Sequence, residues 1–301
     1  MKTIHAIETS ALTKRYPKVE ALRGMTLNVP QGSLSGLIGL NGAGKTTTLR
    51  ILLGMARPTS GTATVLGLDA LDPEKNRIIR SRTAYIPERK ELFPYMTAGD
   101  VIRFTAGFYS TWNKDLEATY VKRFEIPLDR KVTKLSKGTL TKLHMLLAIA
   151  RGASLLILDE PTDGLDAVAS EEALQALTTL VAEQGTTVLI CSHRIEEVEQ
   201  IADHLCLVHK GVCFKQGYLD DMRSATRRIQ FGLDAAPDQL AQFGQLGILK
   251  QSGLAISILT DQNTDKVIDL ARNLGGFDIE AHPVPLREMF VELVRSQDAL
   301  A

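Results

Sequence analysis

Gly39-Leu40-Asn41-Gly42-Ala43-Gly44-Lys45-Thr46, with Thr47 behind it, fits G-x-x-x-x-G-K-[ST], the phosphate-binding loop pattern. Residues 34–38 before it are mostly small or apolar and read as a short buried strand. Residues 47–53 after it read as a helix closed by Gly54. In that strand–loop–helix setting the glycines let the backbone curl so that several N–H groups point inward, and the helix N-terminus adds its positive dipole end. Lys45 supplies a point charge to the outer phosphates, and the Thr46 hydroxyl suits a magnesium ion.

A second element carries carboxylates. Residues 155–158 (Leu-Leu-Ile-Leu) form a continuous apolar run of the kind buried on both faces of a parallel sheet, and Asp159-Glu160-Pro161 follows directly. Ligands of open α/β sheets bind at the carboxyl ends of strands. There Asp159 is suited to hold Mg2+ through water and Glu160 to polarise an attacking water.

The rest of the chain bounds these motifs. With 301 residues, 44% hydrophobic and 23% charged, the composition is that of a soluble chain of one large or two smaller domains. Net charge is zero, which gives no basic surplus for a nucleic-acid partner. Cys191, Cys206 and Cys213 show no metal spacing and are odd in number, so free thiols are expected. The first residues lack the apolar core of a signal peptide, and the longest largely apolar run, 143–150, is too short to span a bilayer and ends at Arg151. The expected location is therefore cytoplasmic.

Along the chain, residues 3–29 alternate apolar and polar positions around Tyr16-Pro17-Lys18 and suggest antiparallel strands. Helical periodicity takes over from 97 to 124. Nine of the sixteen aromatic residues fall between 85 and 124, where an even spread would put about two; some must fill a small helical core, and Phe93, Tyr95 and Met96 beside Pro94 suggest an apolar patch for a partner. Ser136 is placed to cap a helix to Arg151, and His144 on that helix reads as packing or surface. Strands and helices alternate from 155 to 208, the pattern of a layered α/β fold. After about residue 222 the pattern changes to short strands and helices without a chemical motif.

These motifs, in this order, resemble the ATP-binding subunits of ABC transporters over residues 3–220. The resemblance implies an α/β P-loop NTPase of ABC type: a mixed RecA-like sheet core with an antiparallel β subdomain and a helical subdomain (about 88–152) within residues 1–222. A small α+β C-terminal domain over 223–301 completes it. ATP with Mg2+ is the implied cofactor pair. Tyr16 matches the aromatic that stacks on adenine. Glu88, after Tyr85-Ile86-Pro87, stands where the family has a Gln that contacts Mg2+ and the membrane subunit. Leu135-Ser136-Lys137-Gly138-Thr139 matches a signature that usually reads L-S-G-G-Q; Ser136, Lys137 and Gly138 would contact the ATP held by the opposite subunit, although Lys137 and Thr139 depart from the pattern. Asp166, in Asp163-Gly164-Leu165-Asp166, matches the loop through which two subunits sense each other. His193, in Cys191-Ser192-His193, matches the switch histidine.

The resemblance further implies Glu160, His193 and Lys45 as the catalytic set, a second ATPase subunit, identical or different, and a separate membrane permease. It places the chain on the cytoplasmic face of the membrane and is nearest the bacterial exporter-type branch. A non-transport ABC ATPase and an ATP-gated module with weak hydrolysis remain the alternatives.

Overall fold

Three parallel strands, each buried from end to end, set the frame of the larger of two units. The computed structural model describes residues 3–234 and 236–300. The chain divides between Gln216 and Gly217, so the boundary expected at 222–223 falls inside a short helix of the second unit.

In chain order, strands β1 (His5–Tyr16) and β2 (Val19–Pro30) lead to β3 (Leu34–Ile38) and helix α1 (Lys45–Leu52). Next come β4 (Ser60–Val65), β5 (Leu68–Asp69), α2 (Pro73–Arg82) and β6 (Thr83–Ile86). The helical portion holds α3 (Ala98–Ala106), α4 (Lys114–Arg123) and α5 (Lys137–Ala150). It is followed by β7 (Leu155–Asp159), α6 (Ala167–Gln184), β8 (Thr187–Ser192), α7 (Ile195–Glu199), β9 (His204–His209) and β10 (Val212–Tyr218).

These strands form two sheets. β2-β1-β4-β5 is antiparallel, with register shifts along β1 that bend the ribbon. β10-β9-β3-β8-β7-β6 is the core sheet, with β9, β3, β8, β7 and β6 parallel to one another. Every residue of β3, β7 and β8 is buried, as their near-continuous apolar sequences require for strands covered on both faces. The core between the sheets gathers Leu37, Ile157, Leu189 and Cys191 with Ile7, Leu27 and Val65.

Helix starts follow side-chain caps. Ser136 accepts the Thr139 N–H, Asp166 accepts the Ala169 N–H, and Thr97 with Asp100 forms a reciprocal capping box. α1 differs: it begins at Lys45, two residues before the sequence suggested, because Gly44 at φ 103° serves as its N-cap without a side chain. Tyr120 and Phe124 fill the core of the helical portion, whereas Phe93, Tyr95, Phe104 and Phe108 are exposed, between 44 and 68%.

The second unit contains α8 (Leu219–Ala225), β11 (Arg227–Gly232), α9 (Pro237–Leu246), β12 (Ile248–Ser252), β13 (Ala255–Thr260), α10 (Thr264–Asn273), β14 (Phe277–Pro283) and α11 (Leu286–Leu300). Its sheet, β12-β13-β11-β14, is wholly antiparallel, and β11 to β14 follow the split β-α-β-β-α-β pattern. Ile229, Phe231, Phe243, Ile258 and Val267 make its core. Arg228 and Lys250 both pair with Glu292 of α11, a carboxylate only 6% exposed.

Candidate ATP site

Register in the core sheet brings the site together. Ile38 pairs with Ser192 and Asp159 with Cys191, so β3, β8 and β7 end side by side. Gly39, Glu160 and His193 each follow one of those ends, which places the phosphate-loop motif, the carboxylate pair and the histidine on one sheet edge. The Gly39 N–H still donates to the Ser192 carbonyl at 3.3 Å and the Glu160 N–H to the Cys191 carbonyl at 2.9 Å.

The cleft at this edge has a volume of about 570 Å³ and is lined by Tyr16, Val19, Ala21, residues 40–47, Glu88, Asp159, Glu160, Asp163 and His193. Its loop is tightly seated. A Cβ on Gly39 would lie 2.5 Å from the Val208 carbonyl oxygen, so only glycine lets the backbone pass there. Lys45 is 7% exposed; its ammonium donates to the Gly39 carbonyl at 2.6 Å and lies 3.6 Å from Glu160 Oε1.

The Thr46 hydroxyl donates to Asp159 Oδ2 at 2.9 Å. Burial holds the Asp159 carboxyl above its ordinary value, against the opposing Thr46 hydrogen bond. A hydroxyl and a carboxylate side by side form an oxygen donor set of the kind a hard cation takes. Among the described residues no cluster of three or more His, Cys, Asp or Glu could hold a metal ion.

Glu160 adopts φ 49°, unusual for a residue with a side chain, and this aims its carboxylate into the cleft. Its Oε2 accepts from Ser192 Oγ at 3.1 Å and lies 3.0 Å from His193 Nδ1. Tyr16, which also lines the cleft, is 40% exposed, with the Lys14 ammonium 4.9 Å from its ring centre. A phosphate-binding loop, a half-buried hydroxyl on a buried carboxylate, a second carboxylate beside a histidine and an exposed aromatic residue together suit a nucleoside triphosphate and its hydrolysis.

Comparison with known proteins agrees. The family model described as "ABC transporter" matches residues 22–163. The bacitracin transport ATP-binding protein BcrA of Bacillus licheniformis is 33% identical over 230 residues, covering 76% of this chain and 74% of that protein. The chain belongs to the family of ABC transporter ATP-binding proteins. The Nod factor export ATP-binding protein I of Rhizobium meliloti (strain 1021) is 33% identical over 70% of this chain and 64% of its own length. A solved ATP-binding subunit of an ABC transporter superposes with a TM-score of 0.66 at 29% identity, over 73% of this chain and 92% of that one. ABC ATP-binding subunits bind and hydrolyse ATP and work with membrane permease components, and this chain is such a subunit.

Against that family pattern the structure separates the expected residues into two groups. Tyr16, Leu40 to Thr47, Glu88, Asp159, Glu160 and His193 line one cleft, with Gly39 at its base. Ser136, Lys137 and Gly138 do not line it; they form the N-terminus of α5, where Ser136 and Lys137 are exposed. Asp166 is outside the cleft too, capping α6, while Asp163 of the same loop lines it.

Two participants were not singled out from the sequence. Ser192 holds the Glu160 carboxylate, and its signal was its place directly before His193. The Lys90 ammonium donates to the Glu160 backbone carbonyl at 3.2 Å. Burial pulls the Lys90 ammonium below its ordinary value, opposed by the surrounding carboxylates Asp163, Glu88, Asp159 and Glu160. His144 is held down to about 4 by burial first and by the Lys90 charge second, and its Nε2 has no hydrogen-bond partner.

Proposed function

We propose that this chain powers an export-type ABC transporter: two subunits close over two molecules of ATP with Mg2+ on the cytoplasmic face of the membrane, beside a separate permease. The observation that carries the reading is a division of labour. One cleft gathers Lys45, Thr46, Asp159, Glu160 and His193, while Ser136–Gly138, at the N-terminus of α5 where N–H groups and the positive dipole end favour an anion, lie outside its lining. In this reading the anion met by that second end is the ATP held by another subunit.

Within the cleft, Glu160 polarises the attacking water, and the bond from the β–γ bridging oxygen to the γ-phosphorus breaks to give ADP and phosphate. His193 and Ser192 fix the Glu160 carboxylate, and Lys45 offsets charge on the transferring phosphoryl group. Thr46 and Asp159 would hold Mg2+, with Glu88 at the cleft wall, and the ion when bound neutralises charge on the phosphate oxygens. Tyr16 stacks on the adenine. Asp166, fixed as the cap of α6, holds the loop that meets the second subunit.

Among the described residues no helix is long and apolar enough to cross a membrane; in this reading a separate permease supplies the spanning segments. Its dock is the exposed ring cluster, in which Phe93 lies 5.9 Å from Tyr95 and 5.6 Å from Phe104, and Phe104 lies 5.0 Å from Phe108. The names of the relatives, which speak of bacitracin transport and Nod factor export, support an exporter.

Glu160→Gln tests the assignment. It should bind ATP, run as a dimer in size-exclusion chromatography with MgATP, and lose turnover by about 100-fold or more. Wild-type turnover by Glu160→Gln would refute the role of Glu160, and a monomer at saturating MgATP would refute the closing of two subunits.

A further inference from the structure

The Glu160–Pro161 peptide is difficult to hold in place. Strand pairing ends one residue earlier, at Asp159, and the Glu160 N–H to Cys191 carbonyl bond is the last backbone tie to β8. The backbone then turns through φ 49° at Glu160, a region a residue with a Cβ enters only when its surroundings impose it. Because Pro161 carries no N–H, the following peptide unit can be anchored only through its carbonyl oxygen. Two groups reach that oxygen: the Asp163 N–H, at a long 3.3 Å, and the Lys90 ammonium, at 3.2 Å. Lys90 comes from another part of the chain, 70 residues away, and is half-buried where it meets the turn.

We infer that Lys90 is a positioning residue for ATP hydrolysis: by holding the Glu160 carbonyl it fixes the direction in which the Glu160 side chain leaves the backbone. The inference rests on the reading of Glu160 as the group that polarises water. A small rotation of the peptide at Glu160 is amplified along the side chain, and displacement of a catalytic group by about 1 Å lowers a rate by about 100-fold. Lys90 does not line the nucleotide cleft, so its loss should leave ATP affinity alone.

The test uses the full chain with MgATP. Lys90→Met keeps the length of the side chain without the donor, and Lys90→Arg restores a donor. Lys90→Met should lower kcat by about 10- to 100-fold with KM for ATP unchanged, and Lys90→Arg should recover part of it. Hydrogen–deuterium exchange gives a second readout: the Asp163 amide should exchange faster in Lys90→Met at an unchanged Tm and return toward wild type in Lys90→Arg. An unchanged kcat overturns the proposal. A fall in kcat without faster Asp163 exchange overturns it too, since the ammonium would then act through its charge. Glu160→Gln, run alongside, separates the two claims. If Glu160→Gln keeps its turnover, the reading of the site fails; if it is inactive while Lys90→Met works normally, only the role of Lys90 fails.

Discussion

Replacing Gly39 by Ala should damage nucleotide binding through sterics alone, with no help from backbone strain. A Cβ there would sit 2.5 Å from the Val208 carbonyl oxygen, 2.6 Å from Val208 Cγ2 and 3.0 Å from Ala43 Cβ. The first neighbour is backbone in the buried strand β9, so the loop, rather than the strand, must give way. Overpacking of this kind costs about 1–3 kcal/mol. At about 2–4 °C per kcal/mol for a unit of this size, Tm should fall by roughly 2–12 °C. The moved Gly39 carbonyl is the acceptor that seats the Lys45 ammonium at 2.6 Å, so the ATP Kd should rise about tenfold, equivalent to ~1.4 kcal/mol.

Gly185→Ala is the control. Gly185 has φ 62°, and no atom lies within 4 Å of the point its Cβ would occupy, so alanine there meets strain without a clash, worth about 1–2 kcal/mol. Differential scanning fluorimetry and titration with a fluorescent ATP analogue separate the two. An unchanged Kd in Gly39→Ala, or an equal change in Gly185→Ala, would refute the argument from packing.

Two further outcomes are expected. His144 stays neutral in the folded chain down to about pH 4, whereas the unfolded imidazole protonates near 6.5. Its contribution is therefore fully present above pH 6.5 and is lost as pH falls toward 4. Over that window His144→Leu should lose less stability than wild type, by up to ~3 kcal/mol, read from urea midpoints. Phe93→Asp with Tyr95→Asp, on the exposed ring cluster, should abolish co-purification with the permease while leaving ATP affinity unchanged; retained co-purification would move the dock elsewhere.

The site was legible where chemistry is contiguous in the chain. Residues 155–159 announced themselves because a strand buried on both faces must be apolar throughout, and the glycine pattern at 39–46 because a phosphate cradle needs bare backbone. Strand β10 was not anticipated: its residues are nearly all half-buried, so Val212–Tyr218 carries no two-fold alternation. The short helix Leu219–Ala225 escaped for want of length. Lys90 was hidden for a different reason. It lies in Glu88-Arg89-Lys90-Glu91, which reads as a solvated turn, and its one informative bond spans 70 residues.

The strand order has a consequence for synthesis. In the core sheet β8 lies between β3 and β7, yet it is made after both. Thr46 leaves the ribosome long before Asp159, and the two cannot be held 2.9 Å apart until Ser192 has closed the gap between their strands. Residues 46 and 192 are 146 positions apart, so at about 5–20 residues per second the nascent phosphate loop waits roughly 7–29 s for its carboxylates. The Thr46–Asp159 oxygen pair is thus a late product of synthesis, set only once the last-made of the three strands has entered between the other two.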